Sequence, residues 1–109
     1  MINYVSPSEE RPRILIVDDE RININLLNAL LKADYKIMVA TDGEQAIKAA
    51  ATGKPELILL DIVMPGIDGY EVCRRLKSMA ATQTIPIIFI TAMGDVENET
   101  MGFALGAVD

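Results

Sequence analysis

Four short apolar runs along the chain predict β-strands. Three of them, at 14–17, 57–60 and 87–90, are continuous and do not alternate with polar residues. Continuous runs of this length are typical of parallel strands that are covered on both faces. The fourth run, at 35–40, carries Lys36 near its start, so it is predicted to form a strand at an edge of the sheet.

Apolar residues at helical spacing follow each of these runs. The spacing after the first run assigns the buried face of a helix to Ile22, Leu26, Leu30 and Ala33, widened by Leu27 and Leu31. Later helices are predicted on three further sets: Ala46, Ile47 and Ala50; Gly69, Val72, Cys73, Leu76 and Met79; Val96, Thr100, Met101 and Ala104. The alternation of strand and helix predicts a doubly wound α/β domain with a parallel sheet, because right-handed crossovers place helices on both faces.

Turn-forming residues separate these elements. Asp42-Gly43 precedes the second helix, and Gly53-Lys54-Pro55 ends it. Met64-Pro65-Gly66 and Asp68-Gly69 are interpreted as turns before the third helix. The 109 residues correspond to one domain, which we place at 13–109 after a flexible leader at 1–12.

Composition narrows the possible functions. The chain has 10 basic and 16 acidic residues, a net charge of −6, which disfavours direct binding to nucleic acid or to an anionic membrane. It contains no histidine, which excludes histidine-based nucleophile systems and histidine kinase activity. The single Cys73 excludes an internal disulfide and fits a reducing compartment, so the protein is predicted to be cytoplasmic. The longest apolar stretch, at 85–90, is far shorter than the roughly 20 residues that a membrane span needs.

Polar side chains stand where the predicted strands end. Asp18 and Asp19 end the first run, Asp61 ends the third and Thr91 ends the fourth. Ligands of such sheets bind at the carboxyl ends of the strands. Carboxylates that converge there raise one another's pKa unless a cation compensates their charge, and an all-oxygen ligand set suits Mg²⁺.

Each of these residues also has a structural interpretation. Asp18 or Asp19 could cap the following helix, since aspartate is a preferred N-cap residue. Asp61 could be a loop carboxylate that accepts backbone amides, and Thr91 is an ordinary β-forming residue. Their joint placement at the strand ends of one sheet favours the functional interpretation.

Five segments carry a specific resemblance to a known family: ILIVDDE (14–20), DGEQAI (42–47), LILLDIVMPGIDGYE (57–71), PIIFITA (86–92) and GFALGAVD (102–109). Together they resemble the receiver domain of bacterial two-component response regulators. The resemblance implies the flavodoxin-like, or CheY-like, fold with strand order 2-1-3-4-5. The chain would contain four of the usual five βα units, ending before the fifth strand and the last helix.

The resemblance also implies a metal site. Asp19 would bind Mg²⁺ directly and Asp18 mainly through water. Asp61 and the backbone carbonyl of Val63 would complete the protein ligands.

The same resemblance implies a phosphorylation switch. Asp61 would be the phosphoacceptor, Thr91 the switch hydroxyl, and Ala92 would leave space beside the phosphoryl group. The donor would be a phosphohistidine on a sensor histidine kinase or a phosphotransfer protein. The domain would be a regulator and not an enzyme, although receiver domains assist their own phosphotransfer and dephosphorylation.

Two departures from the family pattern affect the expectations. The family's lysine at the end of the fifth strand and its final helix have no counterpart in this sequence, and an effector domain could lie beyond residue 109. Without a fifth strand, the fourth strand would be an apolar edge, so we expect the 109-residue form to self-associate. The contact would be two-fold and would use the fourth strand and fourth helix, or the protomers would exchange elements.

Other functional classes remain as alternatives. The main one is a degenerate or truncated receiver that acts only as an interaction or dimerisation module. A haloacid-dehalogenase-like phosphohydrolase would need an aspartate where Val63 stands. A flavin-binding flavodoxin would need a phosphate-binding loop and aromatic residues that this sequence does not supply.

Overall fold

The computed structural model describes residues 11–90 and confirms the predicted alternation over that range. The strands are β1 (Arg13–Val17), β2 (Lys36–Ala40), β3 (Leu57–Asp61) and β4 (Ile87–Ile90). The helices are α1 (Arg21–Leu31), α2 (Gly43–Gly53) and α3 (Gly69–Lys77). The predicted fourth helix, together with Thr91 and Ala92, lies outside the described residues.

The four strands form one parallel sheet in the order β2-β1-β3-β4, which confirms the expected order for these strands. β2 lies at an edge, as its lysine predicted. Val17 at the end of β1 is in register with Ala40 of β2 and Leu60 of β3. The carboxyl ends of the three strands are therefore level, and the chain leaves β1 and β3 at the same edge of the sheet.

The two central strands, β1 and β3, are buried on both faces, as their continuous apolar runs predicted, whereas Ile88 and Ile90 of β4 are half-buried. Leu15 and Val17 of β1 pack in the larger core cluster, against α2 and α3. Ile14 and Ile16 point to the opposite face, which α1 covers. The alternation follows from the two-residue period of a strand.

The buried face of α1 differs from the predicted one. Ile22, Leu26 and Leu30 are exposed, by 79%, 59% and 67% respectively. The side chains that pack on the sheet are Ile24, Leu27 and Leu31, and Ala33 is an exposed residue beyond the end of the helix.

The physical reason for this error is that the sequence contains two apolar stripes on α1. Leucines occur in adjacent pairs at 26–27 and 30–31, so two faces about 100° apart both satisfy the helical period. Periodicity alone could not choose between them. Leu27 and Leu31, which were expected only to widen the face, belong to its centre.

Helix α3 is fixed to the domain along its length. Val72, Cys73 and Leu76 are buried in the main core, as predicted. Near its end, the Thr82 hydroxyl donates a 2.6 Å hydrogen bond to the carbonyl of Leu76, and Lys77 Nζ donates to the carbonyl of Ile85. These bonds hold the connection between α3 and β4.

The last two residues of the predicted leader make hydrogen bonds with the described part of the chain. Arg11 donates hydrogen bonds to the carbonyls of Lys32 and Ala33, and the Pro12 carbonyl accepts from the amide of Lys36. Within the described range, no helix is both long and apolar enough to cross a membrane.

Candidate functional site

Three carboxylates meet at the level edge of the sheet. Asp18 and Asp19 follow β1, and Asp61 is the last residue of β3. One carboxylate oxygen from each residue can be chosen so that all three lie within 4.8 Å of one another. The structure therefore brings together the three aspartates that the sequence singled out.

Asp18 is positioned by the sheet. It is buried, and its amide donates a 3.1 Å hydrogen bond to the carbonyl of Ala40 at the end of β2. Its Oδ1 atom accepts a 2.9 Å hydrogen bond from the amide of Glu20, which forms an Asx-type turn. This bond fixes the direction of the carboxylate before α1 begins.

The helix-capping interpretation of the first aspartate pair does not fit this geometry. The N-cap residue of α1 is Glu20, and its side chain makes no capping hydrogen bond within the described structure. Asp18 bonds to the amide of Glu20 and not to an amide of the first helical turn. Asp19 is exposed at the mouth of the cluster, where its carboxylate is available to a ligand.

Asp61 carries the clearest electrostatic signal of the three. The pKa of its carboxyl is raised from 3.8 to about 6, first by burial and further by the nearby charges of Asp18 and Asp19. Hydrogen bonds from the amides of Val63 and Ile62 oppose the increase. Without a cation, burial and the like charges of its neighbours therefore disfavour the ionised form of Asp61.

A short loop connects Asp61 to α3. Val63 lies in this loop with a 70% exposed side chain, between the buried Ile62 and Met64. Gly66 adopts a left-handed conformation with φ +80°, as the predicted turn requires. Asp68 caps α3 by accepting a 2.9 Å hydrogen bond from the amide of Glu71.

Sequence reasoning missed a close contact between this loop and α3. The amide of Gly69 donates a 2.7 Å hydrogen bond to the carbonyl of Ile62, and the α-carbon of Gly69 lies against the Asp61–Ile62 peptide. From the sequence, the Asp68-Gly69 pair predicts only a turn before the helix. A glycine in the first turn of a helix was the available signal, because glycine there allows close backbone approach.

The two remaining predicted site residues follow the end of β4 in the sequence. Ile90, the last residue of β4, is in register with Asp61. Thr91 and Ala92 follow it in the sequence and lie outside the described residues.

A comparison with protein families matches residues 14–109 to the response regulator receiver domain. The chain belongs to this family. The match includes the acidic pair, Asp61 and the segment that connects them.

Named relatives agree with this assignment. The receiver domain is 45% identical over 98 residues to the response regulator PleD of Caulobacter vibrioides, covering 89% of this chain and 22% of PleD. Curated relatives, PleD among them, are covered over 22% to 41% of their length, so this chain spans less than half of each.

Solved structures show the same fold. The N-terminal domain of a response regulator receiver protein from Methanoculleus marisnigri JR1 superposes with a TM-score of 0.78 at 30% identity, covering 90% of this chain and 80% of that one. The receiver domain of the sensor histidine kinase PA1611 from Pseudomonas aeruginosa PAO1 gives 0.74 at 31% identity, covering 84% and 79%. That structure is described as holding a magnesium ion in the active site cleft.

Proposed function

We propose that this receiver domain is a phosphoacceptor switch. It would accept a phosphoryl group onto Asp61 from a phosphohistidine of a sensor histidine kinase or a phosphotransfer protein. The observation that carries the proposal is the group of three carboxylates at the edge of the sheet, with one oxygen of each within 4.8 Å of the others. An interaction module without phosphorylation would have no need for this arrangement.

The residues present fit Mg²⁺. Carboxylate and carbonyl oxygens are the protein ligands that this hard cation takes, and it keeps several waters. Burial raises the pKa of Asp61 most, and the charges of Asp18 and Asp19 raise it further; a divalent cation would offset these like charges. Asp18, Asp19 and Asp61 would hold the ion together with the backbone carbonyl of Val63, as the ion in the PA1611 receiver supports by analogy.

The transfer itself requires one bond to form and one to break. A carboxylate oxygen of Asp61 attacks the phosphorus, the P–N bond to the donor imidazole breaks, and the imidazole nitrogen keeps the electron pair. The product is an acyl phosphate on Asp61 and a dephosphorylated donor histidine. Bound Mg²⁺ supplies positive charge to the phosphoryl oxygens.

The chain's own groups prepare Asp61 for this attack. The amides of Ile62 and Val63 lower the pKa of its carboxyl and so favour the ionised, nucleophilic form. Asp18 is fixed by the amide of Glu20, so the cluster does not need to reorganise. We propose Thr91 as the switch hydroxyl and Ala92 as the small residue beside the phosphoryl group.

We also propose an effector domain, a cellular location, domain limits and an oligomeric state. An effector domain beyond residue 109 would account for the share of the curated relatives that this chain leaves uncovered. A cytoplasmic location, the domain limits at 13–109 and self-association of the 109-residue form also remain predictions.

The acceptor can be tested with acetyl phosphate as the phosphodonor. In the presence of Mg²⁺, borohydride trapping and mass spectrometry should place the modification on Asp61 alone. Asp61→Asn should lose it, whereas the matched variant Asp42→Asn, at the cap of α2, should keep it. Removing Mg²⁺ with a chelator should abolish labelling.

Two results would contradict the proposal. One is label on Asp18 or Asp19 in the wild-type chain, and the other is no label on a folded wild-type chain. The ligand roles have a separate test, since Asp19→Ala should weaken Mg²⁺ binding more than Asp18→Ala does. The reverse order would reject those roles.

A further inference from the structure

Gly69, the first residue of α3, lies against the backbone that carries Asp61. A β-carbon at position 69 would lie 2.2 Å from the carbonyl oxygen of Asp61 and 2.8 Å from the α-carbon of Ile62. Real β-carbons essentially never approach other atoms more closely than 3.0 Å. A side chain at this position would therefore force the helix and the Asp61–Ile62 peptide apart.

The atoms in contact make this constraint unusually strict. Main-chain atoms cannot turn away as a flexible side chain can, so no change of rotamer would relieve the overlap. The next peptide, Ile62–Val63, is held to the helix as well, because the amide of Gly69 donates a 2.7 Å hydrogen bond to the carbonyl of Ile62. Helix α3 and the end of β3 are thus fixed as one unit.

The fixed peptide determines two features of the site. It sets the position of the Asp61 side chain, and it leads directly into Val63. The amides of Ile62 and Val63 favour the ionised form of the Asp61 carboxyl, so a shift of this backbone would move the nucleophile and these groups together. Displacements of about 1 Å at a reacting group can lower a rate roughly 100-fold.

We propose that Gly69 is a positioning residue for the chemistry at Asp61. Because glycine has no side chain, α3 packs directly against the Asp61–Ile62 peptide. This packing fixes the acceptor carboxylate and the backbone of Val63. This inference rests on the proposed phosphoacceptor function and adds to it a residue that touches neither ion nor phosphoryl group.

A second glycine provides a matched control. At Gly53, the last residue of α2, a β-carbon would lie 2.3 Å from the terminal Cε atom of Met38 and 3.2 Å from its sulfur. The contact is as close as that of Gly69, but the opposing atoms end a flexible side chain that can move. Gly53→Ala therefore adds the same methyl group without displacing the backbone of the site.

The experiment compares Gly69→Ala with Gly53→Ala at a temperature where circular dichroism shows both to be folded. Mg²⁺ affinity is followed by the NMR shift of the Val63 amide. The labelling rate with acetyl phosphate is then measured at saturating Mg²⁺. We expect Gly69→Ala to bind Mg²⁺ at least about 10-fold more weakly and to react about 10- to 100-fold more slowly, with Gly53→Ala within about twofold of wild type.

Several outcomes decide between the hypotheses. If the wild-type chain binds no Mg²⁺ and accepts no phosphoryl group, the proposed function fails. If the wild-type chain does both and folded Gly69→Ala does them equally well, only the positioning role is overturned. A purely structural role would lower stability and leave the rate at saturating Mg²⁺ unchanged.

A second variant covers the case in which Gly69→Ala does not fold. Asp68→Ala removes the cap of α3 without adding atoms near Asp61, so the first turn of the helix is held less firmly. The positioning role predicts a labelling rate lowered severalfold in folded Asp68→Ala at saturating Mg²⁺. A rate equal to that of wild type would reject the role.

Discussion

Helices α1 and α3 follow the two strands that supply the acidic cluster, yet they are held very differently. α3 buries Val72, Cys73 and Leu76 and begins with the Asp68 cap. No residue of α1 is fully buried, and within the described structure its N-cap residue makes no side-chain capping bond. The carboxylates of one site are thus followed by one firmly fixed helix and one loosely fixed helix.

The difference shows which parts of the site depend on helix packing. Asp18 is fixed before α1 begins, through β2 and through the amide of Glu20. Asp61 ends its strand, but the peptide after it lies against Gly69 of α3. We infer that the acceptor side of the site depends on its helix, whereas the first aspartate pair depends mainly on the sheet.

The largest expected contrast is the loss of stability when a leucine on the inner face of each helix is truncated. Leu76→Ala in α3 removes a fully buried side chain and should lower the free energy of unfolding by about 2–5 kcal/mol. Leu27→Ala in α1 removes a half-buried side chain and should cost clearly less. Urea unfolding of both variants tests this, and equal losses would remove the contrast.

A pH experiment tests the acidic edge between the two helices. The raised pKa of Asp61 means that the folded state binds more protons than the unfolded state between about pH 4 and 6. The stability contributed at Asp61 is present below pH 4 and is lost as pH rises through about 6. Asparagine at position 61 does not titrate, so the stability of Asp61→Asn should not fall in this way. With Mg²⁺ removed, its free energy of unfolding should rise by about 1 kcal/mol relative to wild type between pH 4 and 6, allowing for solvent screening.

The control for this measurement is Mg²⁺ itself. Adding the ion should reduce the difference in free energy of unfolding between Asp61→Asn and wild type at pH 7, because a cation stabilises the ionised carboxylates of the wild-type cluster. If the free energies of unfolding of the two proteins differ by the same amount from pH 4 to 7, the surroundings of Asp61 do not raise its pKa.

Much of the fold and of the acidic cluster could be predicted from the sequence. Short continuous apolar runs that turn residues separate are typical of parallel strands covered on both faces. Parallel strands bring their carboxyl ends to one edge, so Asp18, Asp19 and Asp61 could be placed together. The family resemblance then supplied the expected roles of these residues.

The failures have equally specific physical reasons. Paired leucines gave α1 two faces that periodicity could not separate, and packing on the sheet decided between them. The contact of Gly69 depends on a distance between α3 and the end of β3, whereas the sequence shows only a common turn pair. Local sequence patterns identify helices and strands well, but they do not give the distances between them.

A smaller effect is expected at the starts of the helices. Asp68→Ala removes a hydrogen-bonded cap and should lower the free energy of unfolding by about 1 kcal/mol. Asp42→Ala removes the equivalent cap of α2, where Oδ1 accepts from the amide of Gln45, and should cost a similar amount. Glu20→Ala at the N-cap of α1 should cost much less, since no side-chain cap is lost. Thermal unfolding of the three variants would measure this order, and a large loss in Glu20→Ala would contradict it.

The smallest expected effect lies on the outer face of α1. Leu26 is 59% exposed, so Leu26→Gln should change the free energy of unfolding by no more than about 0.5 kcal/mol. Glutamine has nearly the same helix propensity as leucine, which leaves exposure as the main variable. The matched variant Leu27→Gln, one residue further along, would place an amide against the sheet and should be clearly destabilising. If instead Leu26→Gln is the more damaging of the two, the buried face of α1 is the one that periodicity first indicated, and the contrast between α1 and α3 is smaller than the structure shows.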